Sequence, residues 1–144
     1  MRIGDVMTRQ VETTRPGATL QAAARQMREA GVGLLPVIEE ERLLGVITDR
    51  DIVVRAVAQG LDPAQALVRD AMTSQAFCCH EDEPLREASL EMESRAVRRL
   101  LVLDEQECLV GLISLDDLAT VESDEAGEVL ERITTLAPPD GSAR

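Results

Sequence analysis

The sequence predicts a mixed α+β fold assembled from two copies of one strand–helix–strand–strand–helix unit. The chain states its pattern twice: Met7-Thr8 returns as Met72-Thr73, Leu20 as Leu85, Met27 as Met92 and Val37 as Val102, each 65 positions later. The phrase Gly45-Val46-Ile47-Thr48-Asp49-Arg50-Asp51-Ile52 returns as Gly111-Leu112-Ile113-Ser114-Leu115-Asp116-Asp117-Leu118, now 66 positions later, so one residue has been added in the polar loop before Gly111. A fixed period marks a repeated supersecondary unit. Within each copy the apolar spacing changes from helical to strand-like in the same order. Finally, 44% of the 144 residues are hydrophobic and Phe77 is the only aromatic, so the core must be aliphatic.

In the first copy, a strand is expected around Thr14, and residues 19–30 read as an amphipathic helix. Leu20, Ala23, Ala24 and Met27 recur at helical spacing, Thr19 is an N-cap type and Gly31 a stop. Leu34 to Ile38 is a short apolar run typical of a buried strand, and Pro36 implies that it lies at an edge or ends a ladder there. Glu39 to Arg42 is a polar turn, Leu43 to Thr48 a strand, and Asp49 to Gln59 a second helix. The second copy has its first strand around Cys79, a helix over Pro84 to Ser94, strands over Arg99 to Leu103 and Leu109 to Ser114 about a turn at Asp104 to Glu107, and a helix over Leu115 to Val121. These readings divide the chain into repeat one (1–60), a connector (61–69) with a short helix after Pro63, repeat two (70–121) and a tail (122–144). In the tail, residues 123–136 carry Val129, Ile133 and Leu136 along one helical side, and Ala137 to Arg144 frays.

The bulk composition excludes several classes. A net charge of -12 argues against nucleic acid or an anionic membrane as the main partner. No apolar run approaches 18 residues and no signal-peptide pattern is present, so a soluble cytoplasmic protein is expected. All 15 basic residues are Arg, so any basic contact to an anion uses a guanidinium fork.

Both copies keep a hydroxyl and a carboxylate three residues apart, Thr48 with Asp51 and Ser114 with Asp117, where a strand runs into a helix. Helix N-termini present free N–H groups, so this is a natural place for phosphate, and an acidic residue in the first turn can accept the hydroxyls of a ribose. The same four residues also suit reciprocal helix capping, with Asp in place of the usual Glu or Gln. The spacing alone leaves both readings open.

The combination of Met-Thr, Leu-Pro-Val on a strand and Gly-Val-Ile-Thr-Asp-Arg-Asp-Ile resembles the CBS domain (cystathionine beta-synthase domain). Two in tandem, over about residues 1–121, resemble the CBS-pair regulatory module. The resemblance implies two β-α-β-β-α repeats related by a pseudo-twofold axis, with clefts between them that bind adenosine-containing ligands, here AMP, ADP or ATP first, and S-adenosylmethionine or NAD-type molecules as further members of the class. It implies Thr48, Asp51, Ser114 and Asp117 as ribose and phosphate contacts, with Gly45 and Gly111 completing the two motifs. Pro36, Val37 and the first-strand residue Thr14 would border the adenine, with Leu101 to Leu103 in the second copy. Arg98 and Arg99 match a basic position that reaches a phosphate, where the first copy has Gly33 and Leu34. They are equally readable as solvated surface. The Thr48/Asp51 cleft, which also has Arg50 and could borrow Arg98 or Arg99, is expected to be the main site. Asp116 would repel a phosphate from the other.

No catalytic constellation is evident, and the expectation is a non-enzymatic sensor that requires no cofactor, with an adenine nucleotide as regulatory ligand. A homodimer is expected through Ile52, Val53, Val57, Leu118 and Val121, together with a protein partner that the sequence leaves unnamed. The rival is a ligand-free, stress-related interaction module with redox-active cysteines or a structural zinc. Cys78, His80 and Cys108 are its candidate ligands, since adjacent Cys78 and Cys79 point to opposite faces of a strand.

Overall fold

A computed structural model describes residues 1–125. In chain order the elements are α1 (Ile3–Val6), α2 (Leu20–Ala30), β1 (Leu34–Glu39), β2 (Arg42–Thr48), α3 (Asp49–Asp51) running into a π-helical stretch (Ile52–Val57), α4 (Val68–Ala71), β3 (Cys78–His80), α5 (Leu85–Arg95), β4 (Arg99–Leu103), β5 (Leu109–Ser114) and α6 (Leu115–Glu125). The predicted β hairpins and the helices α2 and α5 are present within a residue or two, and α6 runs on to Glu125, past the expected end at Val121. The expected tail helix over 123–136, with Val129, Ile133 and Leu136, falls largely outside the described residues.

The chain forms two compact units that cut across the expected halves. One contains residues 10–77 with 105–109, and the other, among the described residues, 1–9, 78–104 and 110–125. The sequence period, 1–60 and 70–121, and the folded units thus divide the chain differently. The physical reason is edge pairing. Thr8 pairs antiparallel with Leu112, through Thr8 N–H to Leu112 O (2.8 Å) and Leu112 N–H to Thr8 O (2.9 Å). Thr73 pairs in the same way with Val46. Each Met-Thr segment thus completes the hairpin of the other copy's unit. In the connector 61–69 Val68 is fully buried, and the short helix expected after Pro63 is a turn there, with α4 following at Val68–Ala71.

In the first-repeat unit, α2 begins where Thr19 Oγ1 accepts the N–H of Ala22 and ends at left-handed Gly31. It buries Leu20, Ala23 and Met27 against Leu35, Val37, Ile47, Ala56, Val68 and Ala71. Burying a side chain of this size is worth about 1.5–3 kcal/mol. The hairpin β1–β2 turns through Glu40 and Glu41, both at positive φ, as a two-residue connection requires. The expected helix over Asp49–Gln59 is one α turn followed by π winding, with Ala58 N–H reaching back five residues to Val53 O (2.9 Å). Successive β-branched Ile52, Val53 and Val54 weaken the preference for a regular α turn there.

The second-repeat unit has a three-stranded sheet in the order β3–β4–β5, whereas the first has two strands and a single parallel bridge from Thr14 to Val37. The expected first strand is therefore absent from the first copy, and two prolines account for it. Thr14 donates to Pro36 O and accepts from Ile38 N–H, both at 2.9 Å. The next rung on one side needs an N–H at Pro16, and on the other an N–H at Pro36. In the second copy the residue matching Pro16 is Glu81, whose N–H makes that rung to Leu103 O (3.0 Å), and Leu101 replaces Pro36. Around this sheet Ile3, Ala88, Met92, Leu100, Val102, Ile113 and Leu118 form an aliphatic core.

Candidate functional site

In each unit a strand ends at the hydroxyl residue and a helix starts directly after it. Thr48 Oγ1 accepts the N–H of Asp51 and Thr48 N–H donates to Asp51 Oδ2, both at 3.0 Å. Ser114 and Asp117 repeat this at 3.2 and 2.9 Å. The reciprocal capping arrangement is thus formed in both copies, and each hydroxyl O–H remains able to donate outward.

The two sites differ in what surrounds that shared cap. Asp51 is held more tightly: the Thr73 hydroxyl donates to its carboxylate (3.3 Å to Oδ1), and Arg55 Nε lies 3.9 Å away while donating through Nη1 to Met72 O. At the strand end of the first repeat, Asp49 N–H donates to Gly33 O (3.0 Å) and Asp49 Oδ1 accepts the N–H of Arg50 (2.7 Å). The other oxygen, Oδ2, occupies the space where a Cβ on Gly33 would sit, 2.8 Å from that position. In the second repeat, Leu115 N–H donates to Arg98 O (2.9 Å), and Arg98, Arg99, Ser114, Leu115 and Asp116 line a cavity of about 300 Å³. The structure therefore brings the two arginines beside Ser114 in their own unit.

The other expected site residues are placed as follows. Pro36 and Val37 are fully buried, so neither offers more than an edge to a ligand. Thr14 meets Val37 through the parallel bridge and lines a cavity of about 380 Å³ with Arg15, Gln26 and Glu40 among its walls. Arg50 is exposed at the start of α3. Cys78 and His80 belong to one unit and Cys108 to the other, where Arg42 pairs with it. Among the described residues, no group of three or more His, Cys, Asp or Glu side chains is arranged to hold a metal ion. Burial, with Glu83, Cys78 and Glu91 adding to it, pushes the Cys79 thiol up to about 12, so it stays protonated at neutral pH.

Sequence reasoning missed the role of the motif glycines. A Cβ on Gly45 would collide with the backbone carbonyl of Thr73, and one on Gly111 would lie 2.6 Å from Met7 Sδ and 2.8 Å from Thr8 O. Gly45 and Gly111 admit the Met-Thr segment against the hairpin. The signal was present in the sequence, since both glycines and both Met-Thr pairs recur, but nothing in the period links one to the other.

Comparison with known proteins agrees with this geometry. The model of the CBS domain family matches residues 3–57 and 68–124. The chain is 39% identical over 134 residues to the CBS domain-containing protein YhcV of Bacillus subtilis, covering 92% of this chain and 94% of that one. Its fold is similar to that of Hypoxic Response Protein I solved with two coordinated zinc ions (TM-score 0.73, 35% identity, 83% of this chain and 98% of that one). It is also similar in fold to CBSX2 in complex with AMP (TM-score 0.71, 23% identity, 83% and 94%). Two matched repeats, a duplicated strand-to-helix cap and paired Met-Thr edges place the chain in the CBS domain family, as a tandem pair.

Proposed function

We propose that this CBS pair is a non-enzymatic regulatory module that binds an adenosine-containing ligand, with AMP, ADP or ATP as the leading candidates. The observation that carries the reading is the cavity in which Arg98 and Arg99 stand beside Ser114 at the start of α6. There two arginines and a hydroxyl residue line one cavity, and the aligned helix start favours negative charge. Asp51 and Asp117 are the ribose acceptors in this reading, and their remaining lone pairs are sufficient for it. AMP bound to CBSX2 supports the ligand class. In this reading the phosphate end is drawn to the Ser114 site, where Arg98 and Arg99 outnumber the Asp116 carboxylate.

A thermal-shift series with AMP, ADP, ATP, S-adenosylmethionine, NAD and NADH tests the reading. A ligand that binds only the folded state raises stability by RT ln(1 + [L]/Kd). A dose-dependent rise that is lost in Asp117→Ala supports the sensor, and a flat response to every compound rejects it. The module also acts as a homodimer in this proposal. The first repeat's π-helical stretch leaves Val53, Val54 and Val57 exposed, Val57 by 61%, and solution mass measurement on Val57→Asp checks whether that apolar row is buried between copies. The second reading, a ligand-free module with a structural zinc or redox-active cysteines, has the two zinc ions of Hypoxic Response Protein I in its favour. In that case chelator or reductant, and no nucleotide, would move the melt.

A further inference from the structure

We infer that the first-repeat unit carries a ligand site apart from its strand-to-helix cap, and that this site takes a free α-amino acid with a neutral, hydrogen-bonding side chain. It is a groove at the turn end of the β1–β2 hairpin. Two cavities of about 440 and 380 Å³ adjoin there through their shared Arg15, Ala18 and Glu40. Both volumes are in the range that small molecules occupy. In the hairpin Leu34 pairs with Thr48 at the cap end and Glu39 with Arg42 at the turn end. The five strand steps from Leu34 to Glu39 separate cap and groove by about 16 Å. The site does not depend on the adenosine reading above.

The larger cavity is lined by two cations, Arg15 and Arg69, and two anions, Glu39 and Glu40. Arg69 is held in place: its backbone N–H and its Nε both donate to Pro16 O, at 3.1 and 3.4 Å, and Nη2 stands over Gly17. Its two Nη groups are left to donate. Among the described residues neither Arg15 nor Arg69 forms an ion pair with an acidic side chain. Opposite charges that line one cavity without meeting are matched by a ligand that carries both. An α-carboxylate suits the guanidinium forks and an α-ammonium suits the carboxylates. Two charges of each sign leave no surplus for a charged side chain.

The smaller cavity supplies the other end. Thr14 is the one buried polar residue among those described, at 7% exposed, and its hydroxyl has no hydrogen-bond partner. No fully enclosed polar side-chain atom lacks a partner, so this hydroxyl is not sealed in the core and opens to the cavity that Thr14 lines. A buried hydroxyl left unmatched is costly, and a ligand atom would satisfy it. Gln26, on the same cavity, uses its Nε2 on Glu12 Oε1 (3.0 Å) and Thr13 O (2.7 Å), so its amide oxygen is what it still offers. A hydroxyl and an amide oxygen are complemented by a neutral carboxamide or hydroxyl. The second repeat lacks the pattern. His80, Asp104 and Glu105 stand in the places of Arg15, Glu39 and Glu40, and Gly4 in that of Arg69. Caps and close-approach glycines recur in both copies because the fold needs them. The arginine pair does not recur, so the fold does not require it.

Isothermal titration calorimetry of the full chain with L-glutamine, L-asparagine, L-serine and L-threonine tests the site. At least one should bind, and more tightly than L-leucine. Its N-acetyl derivative lacks the cation and its α-carboxamide lacks the anion. Each should bind at least about tenfold weaker, the loss of one charge-assisted hydrogen bond. Arg15→Gln with Arg69→Gln should cost the amino acid at least about tenfold, and so should Glu39→Gln with Glu40→Gln. All four side chains are exposed, so these variants should fold, which thermal melts check. Thr14→Val keeps the shape, removes the hydroxyl and should erase the preference over L-leucine. Binding by none of the four amino acids would overturn the site. So would a derivative without one charge that binds as tightly as its parent, or an affinity untouched by both pairs of substitutions. L-leucine binding as tightly as the best of the four, or a preference that survives Thr14→Val, would overturn the assignment of the side-chain end.

Discussion

The two repeats share a plan and differ at the points where the plan is tested hardest. The first has prolines at 16 and 36 and retains one parallel bridge at Thr14, whereas the second has Glu81 and Leu101 and builds a three-stranded sheet. The first ends α2 on Gly31 at φ 70, and the second ends α5 on Ala96 at φ 57, the same left-handed cap without the residue that suits it. The first seals its strand end with Asp49, and the second opens that place between arginines. A duplicated fold keeps its caps and close approaches because both copies need them. It varies edge rungs and the residues around the cap, where one copy can lose what the other retains.

The comparison is broken most severely at the close approaches. Gly45→Ala should cost about 3 kcal/mol in urea unfolding, because the added methyl meets the Thr73 backbone carbonyl, which cannot turn aside. Gly111→Ala should cost less, roughly 1–2 kcal/mol, because its nearest obstacle is the flexible Met7 thioether. Equal costs would mean that the two Met-Thr segments are equally rigid.

Cys79 and Thr14 hold matching places, and only the thiol titrates. With the folded thiol near 12 against an ordinary 9.0, its contribution is fully present below pH 9 and is lost as pH rises from 9 towards 12. Cys79→Thr should therefore flatten the alkaline limb of a pH–stability curve, and native-state alkylation at pH 8 should spare Cys79. Rapid labelling of Cys79 would show that it is open to solvent.

Asp51→Ala should cost roughly 1–2 kcal/mol and Asp117→Ala roughly 0.5–1 kcal/mol, since Asp51 also holds Thr73 and Arg55. Calorimetric melts of the two variants should separate by a few degrees. The cap exchange is more symmetric. Gly31→Ala should lose, and Ala96→Gly gain, about 1 kcal/mol, with opposite shifts in Tm. The smallest effect is expected at the missing rung. Pro16→Ala restores an N–H towards Ile38 O and relaxes the unfolded chain by a similar amount, so stability should hardly move while residue 16 gains hydrogen-exchange protection.

Much of this could be read from the chain before the structure. Thr19 and Gly31 bound α2 because capping chemistry is local, and β4 and β5 were legible to the residue because their apolar runs end at polar turns. The hydroxyl–carboxylate pairs were also legible, since three-residue spacing fixes the cap. What could not be read were properties of pairing at long range. The assignment of residues 1–9 to the second-repeat unit and the partner of each Met-Thr segment depend on which edges meet. A period reports that two stretches are alike, and not which of them touch.

The Met-Thr edges also set an order of assembly on the ribosome. Val46 and Thr73 are 27 positions apart, whereas Thr8 and Leu112 are 104 apart. Closing the longer loop costs about 1 kcal/mol more in chain entropy. It also cannot begin until β5 has been synthesised. The first-repeat hairpin gains its edge partner as soon as residue 73 is free of the exit tunnel. Residues 1–9, by contrast, made well before β5, are among the last to find their place, and until then Ile3 and Met7 are apolar side chains without a core.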